Sequence, residues 1–161
     1  VLRPQWRVGL LGGLAGGVGL FLFAMFTPVV LSEGGQAFSL PLVARVLYGG
    51  ITEELLLRWG LMSLLVWLPW RLLQGNTGEP RQAYVWFAIL LSAVIFGIGH
   101  LPAVAAMLGE LTREVVLFIV GANSVFGVLF GYLFWRYGLE AAIIAHGASH
   151  IVSFVMMTLV M

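Results

Sequence analysis

Gly49-Gly50-Ile51-Thr52-Glu53-Glu54-Leu55-Leu56-Leu57-Arg58 sets two adjacent carboxylates and an arginine inside an apolar run. At the centre of a membrane helix each such group costs roughly 2.5–3.5 kcal/mol on the scales that put the cost lowest. Ionisable groups at that depth face a protein interior or a wet cavity, and they are candidates for function. The surroundings decide that this is a membrane context. Hydrophobic residues make up 61% of the 161 positions and charged residues 9%, where a soluble domain carries about a quarter charged. All eight basic residues are Arg and all seven acidic residues are Glu, with a net charge of +1. No clustered basic face results, which excludes a nucleic-acid partner. The absence of cysteine removes disulfides, thiolate metal sites and a cysteine nucleophile together.

Working outward, a spanning helix needs about 20 mainly apolar residues, and five segments supply them. The first, residues 6–31, reads as a spanning helix and not as a secretion signal. Its Gly9, Gly13 and Gly17, with Gly12 and Gly16 beside them, form the small-xxx-small pattern of close helix packing. A polar loop, residues 32–40, leads to Pro41, which suits the first turn of a second helix over residues 41–73, interrupted or ended near Pro69. The third, fourth and fifth segments cover residues 83–107, 114–137 and 139–161. The loop around residues 74–82 is dense in turn residues. The expected fold class is therefore all-α, a polytopic transmembrane bundle of about five spanning helices in a single membrane-embedded domain, residues 1–161. Arg3, Arg7, Arg71, Arg81 and Arg136 fall on one side and Arg113 on the other. This predicts a cytoplasmic N-terminus, in what reads as a prokaryotic plasma membrane.

Depth then links the polar residues. Counting from the outer helix ends at 1.5 Å per residue, Glu53, His100, His146 and His150 fall within about one or two helical turns of one level. All three histidines of the chain are in this set. Glu54 and Arg58 are i,i+4 and form an ion pair on one helix face, which leaves Glu53 free. His146 and His150 are also i,i+4, so their rings project toward one point. A carboxylate with one histidine can activate a water. Further rings can hydrogen-bond an oxyanion in a low-dielectric site. The same donors, Glu53, His100, His146 and His150, could ligate zinc, although the His-Glu-x-x-His zinc-protease signature is absent. Hydrolysis without a cofactor and hydrolysis with bound zinc both remain open at this point. Asn123 is expected to pack or hydrogen-bond along the face it shares with Gly127 and Gly131. Ser124 does not sit in a Gly-x-Ser-Gly context, since Val125 follows it, so a serine nucleophile is set aside.

Glu-Glu-x-x-x-Arg at 53–58, Phe-x-x-x-His at 96–100 and His-x-x-x-His at 146–150 follow in this order, each within a membrane segment. In this the chain resembles the CAAX-processing and bacteriocin-processing intramembrane proteases, also called abortive-infection-like. That family includes the endopeptidase that removes the last three residues of CAAX proteins. The resemblance covers residues 41–155 and leaves residues 1–40 as a packing helix and loop. It implies that Glu53 activates water, that His100 holds that water, that His146 helps form an oxyanion hole, and that Glu54 and Arg58 position the helix. At position 150 the family has Asn and this chain has His150, which can donate one hydrogen bond but also titrates near neutrality. The implied partners are a peptide or membrane-protein substrate and the lipid bilayer. Two other classes stay in view on the same polar core: a non-catalytic membrane binding protein of the bacteriocin-immunity kind, and a proton-coupled carrier.

Overall fold

The computed structural model describes residues 2–26 and 40–160, with side chains from Gln5 onward. The end of the first expected helix, most of the loop at 32–40, and Met161 lie outside the described residues. Helix α1 runs Leu2–Met25. Helix α2 spans residues 42–73 without a break, from an α-helical turn at Leu42–Ala44 through π-helical stretches at Arg45–Glu53 and Leu55–Met62 to an α-helical end at Ser63–Leu73. Then come α3 (Gln82–Gly99), α4 (Leu101–Leu108), α5 (Arg113–Tyr137) and α6 (Leu139–Val160). No strand occurs among the described residues.

Four stretches are long and apolar enough to cross a membrane: Gln5–Met25, Gln82–Leu108, Arg113–Tyr137 and Leu139–Val160. The second of these joins α3 and α4. The remaining long helix is α2, the one that carries Arg45, Glu53, Glu54 and Arg58. One expectation about continuity is corrected. Pro69 neither interrupts nor ends α2, which continues to Leu73. Membrane helices tolerate proline where neighbouring groups satisfy the freed carbonyl. The third segment, expected over residues 83–107, is the span Gln82–Leu108, within which α3 gives way to α4 at His100, with Pro102 in the first turn of α4.

Small residues set how closely the helices approach. Gly9, Gly13 and Gly17 of α1 lie against Ile144, Ala148 and Val152 of α6. A Cβ added at Gly9 would sit 2.8 Å from the Ile144 Cβ, so the small-xxx-small face is consumed inside the chain. Gly127 and Gly131 of α5 meet Ala93 and Ile89 of α3. Gly50 of α2 crosses Gly147 of α6 so closely that an added Cβ would be 3.0 Å from the Gly147 Cα. Phe96, Phe126, Phe130, Leu133, Ala142 and Ala145 form a buried apolar cluster between these contacts. At the arginine-rich end, Trp86 packs edge-on against Trp135 with ring centroids 5.8 Å apart. Nearby, Gln74 ties the loop at 74–81 together by donating to the Thr77 and Glu79 carbonyls, both at 2.8 Å.

Candidate active site

The tight α2–α6 crossing puts the Glu-Glu motif opposite the two histidines of α6. Glu53, His100, Asn123, His146 and His150 all line one cavity of about 210 Å³, together with Arg45, Gly49 and Phe96. These residues come from α2, the α3–α4 turn, α5 and α6. Glu54 and Arg58 stand behind this wall, both fully buried.

The Glu54 carboxylate works in two directions. Its Oε2 accepts from Arg58 Nε at 3.1 Å, as the i,i+4 spacing predicts. Its Oε1 meets His146 Nδ1 at 3.0 Å. A carboxylate paired with arginine only accepts, so Nδ1 carries the hydrogen and Nε2 of the neutral ring is a lone pair. That lone pair lies 3.9 Å from Glu53 Oε2. The gap is too long for a direct hydrogen bond and suits one bridging water. His146 can therefore accept a proton at Nε2, and it can donate to an oxyanion only after it has done so. The positive ring would then face the Glu54 carboxylate across its own Nδ1–H, the arrangement by which a carboxylate orients and stabilises a catalytic imidazolium.

The remaining supports are aromatic. Phe130 stacks on His146 with centroids 4.4 Å apart and planes at 17°. Phe96 presents an edge-to-face contact to His100 at 4.7 Å and lies under the Arg58 guanidinium at 5.5 Å. Arg58 also points Nη1 at the buried Ser92 hydroxyl, 3.4 Å away. His100 donates from Nδ1 to the Phe96 carbonyl at 2.8 Å, which leaves its Nε2 as a lone pair. His150 stacks beside His146 at 5.1 Å. Gly49 is the space both rings need: a Cβ there would be 2.8 Å from His150 Nε2 and 3.3 Å from His146 Nε2.

Several of these roles carry no sequence signal. Ser92, Phe130 and Gly49 look like ordinary membrane residues, and the Glu54–His146 contact joins positions 92 apart. Asn123 does bond along its own helix, donating to the Ile119 carbonyl at 2.8 Å, but it also forms part of the cavity wall. Ser124 faces Gly97 of α3 and is absent from that wall. As for zinc, His100 and His146 bond through Nδ1 and keep Nε2 as a lone pair, the state in which a histidine can ligate a metal. Among the described residues no three His, Asp or Glu side chains gather closely enough to hold a metal ion.

Apolar spanning helices packed around a carboxylate–histidine cavity define a polytopic membrane protein with a polar site between its helices. The family model for the type II CAAX prenyl endopeptidase Rce1-like proteins matches residues 35–152, and the chain belongs to this family of integral membrane proteases. The matched region contains every residue placed in the cavity from Leu40 onward. No curated protein and no solved structure matches the chain.

Proposed function

We propose that the chain is an intramembrane endopeptidase that hydrolyses a peptide bond with a water held between Glu53 and His146. The observation that carries the reading is the 3.9 Å gap between Glu53 Oε2 and His146 Nε2, with the far side of His146 fixed by Glu54 at 3.0 Å. Glu53 takes a proton from the water as its oxygen attacks the carbonyl carbon. The developing oxyanion is stabilised by donors of the cavity wall: the His146 ring, once Glu53 has passed the water's proton to its Nε2, and the amide N–H of Asn123 not engaged with Ile119. Collapse of the tetrahedral species breaks the C–N bond, and the proton held by Glu53 or His146 passes to the leaving amine. His100 Nε2, also a lone pair, is the alternative to His146 as acceptor for the water's second hydrogen, since a water donates only two. Glu54 and Arg58 position and do not react. This chemistry needs no cofactor; the substrate is a peptide or a segment of a membrane protein.

The test uses purified protein in lipid nanodiscs. Wild type and Glu53→Gln are exposed to a peptide library, with and without prenyl groups, and cleavage is read by mass spectrometry. Wild type is expected to cut a subset of peptides and Glu53→Gln none, while binding persists. Cleavage by Glu53→Gln at the wild-type rate would remove Glu53 from the reaction. Binding without cleavage by folded wild type would favour the non-catalytic binding protein.

A further inference from the structure

Gln5, near the start of α1, carries a polar atom that the bundle leaves unsatisfied. Its side-chain Oε1 is buried, and among the described residues no donor reaches it. A buried acceptor without a donor is costly to keep. Gln5 lines a cavity of about 370 Å³ with Trp6 of α1 and Glu140, Ile143 and Ile144 of α6. Gln5 Nε2 and Glu140 Oε2 lie 3.0 and 3.3 Å from the point a Cβ on Gly138 would occupy. Amide and carboxylate thus stand together where α6 begins. Among the described residues Glu140 joins no ion pair. In the first turn of α6 it complements the helix dipole. That accounts for Glu140 and still gives Gln5 Oε1 no donor.

The two helices fix the depth of this cavity. Gly9, Gly13 and Gly17 meet Ile144, Ala148 and Val152 in ascending order, so α1 and α6 run parallel. Their spans begin at Gln5 and at Leu139. The acceptors therefore lie at headgroup level, and Ile143 and Ile144 lie at the edge of the apolar core. Arg7 holds its guanidinium over the Trp6 ring at 5.5 Å and also joins no ion pair among the described residues. One hollow is thus flanked by a carboxylate, a cation, an aromatic ring and an acceptor in want of a donor. A fitting occupant donates hydrogen bonds from a positive group, offers a negative group beside it, and continues as hydrocarbon. We propose that this cavity binds a phospholipid with a primary-amine headgroup, its ammonium between Gln5 Oε1 and Glu140 and its phosphate at Arg7. A primary ammonium carries three donors. A trimethylammonium carries none, so a choline headgroup satisfies the charge of Glu140 and leaves Gln5 Oε1 without a partner. The same zwitterion without chains, glycerophosphoethanolamine, is the other source of this chemistry.

The test does not depend on cleavage. The whole protein in maltoside micelles is titrated with dioleoyl lipids carrying ethanolamine, choline or glycerol headgroups, and separately with glycerophosphoethanolamine, and the thermal unfolding midpoint is followed. The ethanolamine lipid is expected to raise the midpoint by about 5 °C at saturation. The choline lipid should need about tenfold more for the same shift, and the glycerol lipid should do no better than choline. Gln5→Leu and Glu140→Gln should each bring the ethanolamine lipid down to the choline level. Arg7→Gln should weaken both lipids alike, since both carry the phosphate. Lipid-free midpoints show whether each variant is folded, and the comparison of headgroups on wild type stands even where a variant is not. Equal shifts by ethanolamine and choline lipids would overturn the proposal, as would a preference that survives both Gln5→Leu and Glu140→Gln. An equal shift by glycerophosphoethanolamine at the same concentration would overturn the lipid as the occupant. Ethanolamine-lipid binding untouched by Arg7→Gln would overturn the placement of the phosphate.

Discussion

Replacing Glu54 with Gln is the change that most sharply separates structural from chemical roles in this site. Glu54 offers two acceptor oxygens to two donors, Arg58 Nε at 3.1 Å and His146 Nδ1 at 3.0 Å. A glutamine fills the same volume but has one acceptor oxygen and one amide nitrogen, so one of the two donors must face another donor. Both Glu54 and Arg58 side chains are 0% exposed, and no water screens the mismatch. Breaking such a pair leaves a buried, uncompensated charge, a loss of about 3–5 kcal/mol. The assay is reversible unfolding in mixed micelles by titration with SDS, followed by tryptophan fluorescence. Glu53→Gln is the control. Its side chain is 19% exposed and the His146 Nε2 beside it is 3.9 Å away, beyond hydrogen-bond reach, so unfolding should shift by no more than about 0.5 kcal/mol while cleavage is lost. The pair Glu54→Gln with Arg58→Met removes both ionic partners and should recover most of the lost stability, since apolar replacements of a buried pair are often neutral. Glu54→Gln within about 1 kcal/mol of wild type, or a double variant no better than the single, would refute the argument that Glu54 is held by a buried charge.

Other outcomes follow from contacts already described. Gly50→Ala pushes a Cβ to 3.0 Å from the Gly147 Cα; backbone cannot swing aside, and the SDS titration should show a loss of about 1–3 kcal/mol. Gly49→Ala brings its Cβ against the His150 and His146 rings, so stability should change little while the cleavage rate falls by roughly 10²-fold through displaced rings. Ser92→Ala removes a long, 3.4 Å contact to Arg58 and should cost about 1 kcal/mol in the same titration. Cleavage in nanodiscs should be unchanged after dialysis against EDTA; a loss restored by zinc would overturn the metal-free reading. Because the chain has no cysteine, Thr77→Cys gives a single label site in the loop at 74–81. It should react with an impermeant maleimide only when the cytoplasmic face is open, if the arginine distribution has read the orientation correctly.

Much of this architecture was legible because charge is conspicuous in so apolar a chain. The Glu53–Glu54–Arg58 cluster stood out by its desolvation cost alone, and the four-residue spacings of Glu54–Arg58 and His146–His150 correctly announced neighbours. The glycine ladder of α1 gave its packing role, although only the structure names α6 as the partner. What escaped notice lacks a local pattern. The bond from His146 to Glu54 crosses from one helix to another. Phe130 matters for the ring it covers, and Gly49 for the room it leaves. The change of helix at His100 has a signal in Pro102, which disfavours helical geometry just before it. Pro69 carried the same warning and the helix ran on, because a bundle can accommodate one missing donor.

The π-helical winding of α2 also bears on how this chain could vary over time. A π turn bonds each residue to the fifth along the chain instead of the fourth, so it holds a residue more than an α turn. Loss of one residue anywhere between Arg45 and Glu53 would tighten a turn without severing the helix. Where the tightened turn does not absorb the loss, one end of that stretch would swing by about 100° about the helix axis relative to the other. Single-residue length changes here are thus an economical route to a different relation between Arg45 and Glu53. Relatives that differ by one residue in this stretch are expected to keep a continuous helix while presenting a differently aimed cation to the cavity.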